Sequence, residues 1–216
     1  MRTPRTLAHA TLVLLGLVLL LSSLVGCGSG GGGTGAFGRT LTGEFVGQVT
    51  GTQAYVGIAT YDDGFAVAYV CDGAQLSRWL VGSVLPDGTL DLAPHGGVAL
   101  TGAVVGATAT GTVTIAAQPF AFQAGLPAPG AGYFGAAQTV DGGLHTGGWL
   151  LLGDGTQRGA VRNASGIAGN PVLGPSSSSV TLVSGSVLLV RRINQWVDPE
   201  PQPFRPAPWV DPDPKP

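Results

Sequence analysis

Five Asp-Gly dipeptides punctuate the middle of this 216-residue chain, at Asp63-Gly64, Asp72-Gly73, Asp87-Gly88, Asp141-Gly142 and Asp154-Gly155. Asp-Gly suits the two-residue type I′ turn, whose central residues both take positive φ and whose twist matches that of antiparallel strands. Between the dipeptides lie short runs rich in Val, Thr, Ala, Phe and Tyr. The combination predicts antiparallel hairpins rather than parallel crossovers. No stretch of the body sustains a 3.6-residue apolar period, so long helices are not expected.

The runs predict strands at 44–50, 54–61, 65–71, 78–85, 89–92, 98–104, 108–116, 120–123, 133–140, 144–152 and 157–162, with one or two more inside 180–193. Thr108, Thr110, Thr112 and Thr114 alternate with Ala109, Gly111, Val113 and Ile115, which gives one polar and one apolar face. The run 65–71 is apolar on both faces, as a central strand covered twice would be. Trp79 and Trp149 read as core anchors, and 163–179 as a loop. The expected class is all-β: an antiparallel meander of short strands closing into a barrel or a two-sheet sandwich, which also disposes of the sheet edges. A membrane-spanning barrel fits poorly, because it needs strands of about 9–11 residues and aromatic girdles.

The ends differ from the body. Arg2 and Arg5 precede a 12-residue uncharged apolar run, Ala10 to Leu21, and then Leu24-Val25-Gly26-Cys27. The run is short of the roughly 20 residues of a spanning helix, and its order of charged, apolar and small residues is that of an export signal. The tetrapeptide resembles the bacterial lipobox. That resemblance implies a diacylglycerol on the thiol of Cys27, cleavage before it, and a further acyl chain such as palmitate on the new amino terminus. An ordinary signal peptide with a chance cysteine and an uncleaved anchor are the competing readings. Gly28 follows the cysteine where an aspartate would mark inner-membrane retention. The expected place is therefore the outer membrane of a diderm cell, or the outer face of a monoderm membrane.

Four regions follow: signal 1–26, lipidated cysteine and glycine-rich tether 27–36, β domain 37–193, and proline-rich tail 194–216. The tether and the tail are expected to be disordered. The tail repeats itself, with Trp196-Val197-Asp198-Pro199-Glu200-Pro201 echoed by Trp209-Val210-Asp211-Pro212-Asp213-Pro214. Aromatic anchors on stiff extended chain suit a linear motif for an envelope protein or wall component, carried by Trp196, Asp198, Pro199, Trp209, Asp211 and Pro212. A spacer, or tryptophans packed back on the sheet, are the plainer readings.

Only 10% of the chain is charged, and from Cys27 onward eight basic residues face twelve acidic ones. That excludes a nucleic-acid surface, and it leaves membrane attachment to the lipid rather than to a polybasic patch. Five of the eight acidic residues of the body sit in or beside turns. His95 and His145 have no metal-ligand spacing, and no phosphate loop, dinucleotide fingerprint or nucleophile elbow occurs. No catalytic residue, metal or cofactor is expected. Cys71 shares a strand face with Phe65, Val67 and Tyr69 and reads as a buried thiol. The expected function is a non-enzymatic surface lipoprotein that binds or presents an envelope component. The alternatives are an envelope hydrolase using Cys71 with His145, and an inhibitor of a wall hydrolase.

Tyr69-Val70-Cys71-Asp72-Gly73, with Trp79-Leu80, Gly148-Trp149 and Asp154-Gly155-Thr156-Gln157, resembles an uncharacterised β-rich domain of exported bacterial proteins. The likeness runs over 44–162 and implies fold and location. The Tyr-x-Cys-Asp-Gly stretch is also similar to small lipoproteins that inhibit lysozyme. Those pair this cysteine in a disulfide, and the mature chain has no second free thiol to offer once Cys27 carries lipid.

Overall fold

Eight strands close into a barrel in the computed structural model, which describes residues 39–174 and 178–195. They are β1 (Leu41–Val49), β2 (Tyr55–Tyr61), β3 (Phe65–Cys71), β4 (Ser77–Val84), β5 (Thr89–Leu92), β6 (Val98–Val105), β7 (Thr108–Ile115) and β8 (Gln118–Gly125). Each pairs antiparallel with the next, and β8 returns to β1, with Val46 opposite Gly125 and Val49 opposite Phe122. Of the two expected architectures the chain takes the barrel.

Strand alternation sends every second side chain inward. Phe45, Val56, Ile58, Val70, Leu80, Leu100, Val113 and Phe122 fill the interior. On the uncovered wall Asp91, Thr101, Thr110 and Gln123 are exposed. An apolar interior with a hydroxyl-rich outer wall is the reverse of a membrane-spanning barrel.

Beyond the barrel come β9 (Gly132–Val140), β10 (Gly143–Leu151), β11 (Gln157–Asn163) and β12 (Gly166–Gly169). A hairpin follows, β13 (Ser179–Thr181) and β14 (Val187–Leu189), and then β15 (Arg191–Arg192). The second sheet has the order β12-β11-β10-β9-β15. One of its faces packs on the outside of the barrel, β9 on β1, β10 on β2 and β3, and β11 on β3 and β4. Tyr55, Val67, Tyr69, Cys71 and Trp79 from the barrel meet Tyr133, Leu150, Ala160 and Ile193 there. The Trp79 ring lies 4.6 Å from Tyr69 and 5.6 Å from Tyr133, centroid to centroid. The other face buries Trp149 and Val161 under Val180 and Leu188 of the hairpin.

This layering explains why 65–71 reads as apolar on both faces: β3 has the barrel interior on one side and the second sheet on the other. β2 shares that position and is buried at every residue. Close packing needs two glycines in particular. A Cβ on Gly148 would stand 2.6 Å from the Tyr69 ring, and one on Gly159 would stand 2.1 Å from the Trp149 indole on the neighbouring strand.

Several local expectations are corrected. Of the five Asp-Gly dipeptides only Asp141-Gly142 has both φ positive, at 52° and 81°. At Asp63-Gly64, Asp87-Gly88 and Asp154-Gly155 the glycine alone is left-handed. Its amide donates to Tyr61 O, Leu85 O or Leu152 O, closing a three-residue turn with a glycine bulge. Aspartate serves there as an acceptor, its Oδ1 taking the amide two residues on, from Phe65, Thr89 or Thr156. Asp72-Gly73 opens a longer loop. Ala116-Ala117, with φ of 48° and 66°, makes a two-residue turn that neither residue advertises.

β12 lies inside the expected loop 163–179, and 180–193 divides into three short strands. β8 extends past 120–123 in both directions and contains Pro119. β1 pairs only with Phe122–Gly125 of β8, so the proline stands where the strand has a neighbour on one side. The fold runs past 193 through a 3-10 turn, Ile193–Gln195, with Ile193 buried.

Candidate functional site

The seam between barrel and second sheet opens at one end into a cleft of about 360 Å³, lined by Gln53, Asp72, Gly73, Gln157, Arg158 and Asn170 among others. Arg158 stands on β11 and reaches the barrel. Its Nε donates to Gln53 O at 3.1 Å, its Nη2 to Gln53 Oε1 at 3.3 Å, and its Nη1 to Gln157 O at 2.8 Å. The guanidinium carbon lies 4.8 Å from the centroid of the Tyr55 ring, a cation–π arrangement. The stem of Arg158 crosses Gly73, where a Cβ would come within 2.8 Å of its Cδ.

The other polar groups of the cleft are engaged as well. Asp72 Oδ1 accepts the amides of Ala74, Gln75 and Leu76, at 2.7, 2.9 and 2.9 Å, and so shapes the β3–β4 loop. Gln157 mimics a strand neighbour for Leu173, accepting its amide at 2.9 Å and donating to its carbonyl at 3.0 Å. Asn170 Nδ2 donates to Ala74 O at 3.4 Å. The cleft thus holds hydrogen-bonding groups fixed in place, which suits binding.

Cys71 ends β3 within the seam and is fully buried. Its Sγ accepts the Gly73 amide at 3.3 Å. Burial pushes the thiol up to about 11, so it stays protonated near neutral pH and is a poor nucleophile. His145 has partners of its own, with Nδ1 at 3.1 Å from Gly143 O and Nε2 at 3.4 Å from Asn163 Nδ2. The two residues that a cysteine hydrolase would need side by side are each engaged elsewhere.

One buried ion pair had no signal in the sequence. Glu44 on β1 is only 7% exposed, yet it faces the second sheet. Its Oε1 accepts the Tyr133 amide at 2.8 Å, and its Oε2 lies 3.1 Å from Arg192 Nε on β15. The partners are 148 positions apart. Neither residue breaks the pattern of its own strand, so nothing local marks the pair.

The turn aspartates are held in their charged form. The Thr89 amide and hydroxyl keep Asp87 below the usual carboxylate range, and the Thr156 hydroxyl and amide do the same for Asp154. At Asp63 burial opposes the charge, but Arg39 and the Phe65 amide outweigh it and the net shift is downward. Among the described residues no group of three or more His, Cys, Asp or Glu side chains converges as metal ligands would.

The lipidation site Cys27 and the tail residues Trp196, Asp198, Pro199, Trp209, Asp211 and Pro212 lie outside the described residues. Arg158, Asp72 and Gln157, which build the cleft, are turn or strand residues whose convergence depends on how two sheets stack. No family model, no curated protein and no solved structure matches this chain.

Proposed function

We propose that the protein is a membrane-anchored surface lipoprotein whose β domain binds or presents a component of the cell envelope and performs no chemistry on it. The observation that carries this reading is Leu24-Val25-Gly26-Cys27 directly behind an apolar run and directly before Gly28-Ser29-Gly30. Two or three acyl chains on Cys27 hold a protein stably on a bilayer, where one alone binds marginally. The burial of Cys71 and its raised pKa support the non-enzymatic part, as does the use of Asp72, Asp63, Asp87 and Asp154 as turn acceptors. The cleft at Arg158 and the tail motif around Trp196 and Trp209 are the two places on which a partner would act.

Intact-mass measurement of the mature chain tests the anchor. The expected result is an amino-terminal Cys27 carrying acyl chains, with Cys27→Ser released from membranes or stalled before cleavage. An unmodified residue 27 together with unchanged membrane pelleting overturns the reading. Capture from envelope extract, with and without residues 196–216, then separates partners of the tail from those of the domain.

A further inference from the structure

The barrel has two rims, and they differ. Tracing the meander places the start of β1, the β2–β3 turn, the β4–β5 turn, the β6–β7 turn and the end of β8 on one rim. Hydrogen bonds tie that rim together, from Val84 N to Gly64 O and from Val104 N to Gly88 O. The opposite rim carries the β1–β2, β3–β4, β5–β6 and β7–β8 connections. Three large apolar side chains of the barrel are exposed, Leu85 at 42%, Val105 at 73% and Leu126 at 60%, and all three stand on the first rim. Among the described residues the connections of the opposite rim themselves expose none of that size, and Val172, at 74%, stands beside them in the cleft with Gln53 and Asp72. The remaining three, Val183, Val187 and Leu189, belong to the β13–β14 hairpin.

The first rim is also where the described chain begins, at Arg39 beside β1, with Thr40 N donating to Asp62 Oδ1 in the β2–β3 turn. Eleven residues separate Cys27 from Arg39. A glycine-rich stretch of that length reaches roughly 18 Å root-mean-square. We infer that this rim rests on the bilayer that anchors the chain, with Leu85, Val105 and Leu126 entering the lipid interface; the inference depends on the proposed anchor at Cys27. A short tether keeps the rim near the membrane, and three apolar side chains then make rim-down contact more favourable than contact through the opposite rim, which has Val172 alone beside it. Charge does not drive it. Asp62, Asp63 and Asp87 sit on the rim with Arg39, which pairs with Asp63, so the rim is net acidic and suits a zwitterionic surface better than an anionic one.

The test uses the lipidated chain in phosphatidylcholine vesicles that contain a lipid with a spin label near its headgroup. A nitrobenzoxadiazole reporter is placed at Ala107→Cys, exposed in the β6–β7 turn, or at Gln75→Cys, exposed in the β3–β4 loop on the other rim. Buried Cys71 stays unlabelled in the folded protein. The expected result is blue-shifted, quenched emission at residue 107 and solvent-like emission at residue 75. Combining Leu85→Ser, Val105→Ser and Leu126→Ser, all exposed positions, abolishes the quenching at residue 107 while the protein still pellets with vesicles. Solvent-like emission at residue 107, equal quenching at both rims, or quenching that survives the triple serine change overturns the orientation. The mass of the amino terminus on the same preparation separates the two claims. A lipidated chain with a solvent-exposed rim leaves the anchor standing, and an unmodified Cys27 overturns the anchor and this orientation together.

Discussion

Arg192 and Glu44 join the last short strand of the second sheet to the first strand of the barrel, and their unequal exposure decides what each substitution costs. The Arg192 side chain is one-third exposed while Glu44 is nearly dry. Removing the arginine therefore leaves a carboxylate buried without its counter-charge, and Arg192→Ala should lower stability by about 3 kcal/mol. Glu44→Gln keeps an acceptor for the Tyr133 amide and buries no charge, so it should cost only about 1 kcal/mol. Urea unfolding of the two variants checks both the size and the order. A second prediction concerns pH. The Cys71 thiol, ordinarily near 9, is raised to about 11, and burial also raises the hydroxyls of Tyr61, Tyr69 and Tyr133. Each of these acids is held neutral in the fold, so the unfolded chain releases its protons first as pH rises. Their contribution is fully present below about pH 9 and is lost as pH climbs through the folded values. The unfolding midpoint should fall above pH 9, and Cys71→Ala should flatten the first part of that fall relative to its own value at pH 7.

At the scale of elements, the β7–β8 turn is a weakness the chain tolerates. Ala116 and Ala117 both occupy left-handed backbone, at about 1–2 kcal/mol each for a residue with a Cβ. Replacing the pair by Asn-Gly should raise stability by about 1–2 kcal/mol without disturbing the barrel, as a higher melting temperature would show. The same turn shows where sequence reading stops. β3 and β5 are predicted with the ends they have, because a doubly apolar run and a short run bounded by turn residues leave little choice. Ala-Ala carries no turn signal, so β8 reads as a fragment beginning after Pro119. Asp-Gly marks each turn it occupies but not the turn type, since glycine alone can supply the left-handed residue while aspartate accepts a nearby amide. The cleft was the least legible feature. Arg158 and Gln53 come together only because β11 lies over β4 and β3, and stacking of sheets leaves no local trace in either strand.

For the whole molecule, the described fold ends at Gln195 with Ile193 as its last buried anchor. A chain ending at Gln195 should melt within a few degrees of the full chain. A large drop would mean that Trp196 or Trp209 belongs to the folded core. The order of strands has a further consequence, one that concerns the chain before it is finished. Every strand of the barrel lies within residues 41–125, and the sheet that covers its outer wall starts only at Gly132. A ribosome or an export channel delivers the amino-terminal part first, so the barrel can close while its cover does not yet exist. During that interval Tyr55, Val67, Tyr69 and Trp79 form a bare aromatic flank on an otherwise completed body. The nascent chain is then most prone to aggregate, and it is there that a chaperone would find a surface to hold until β9 to β11 arrive and take its place.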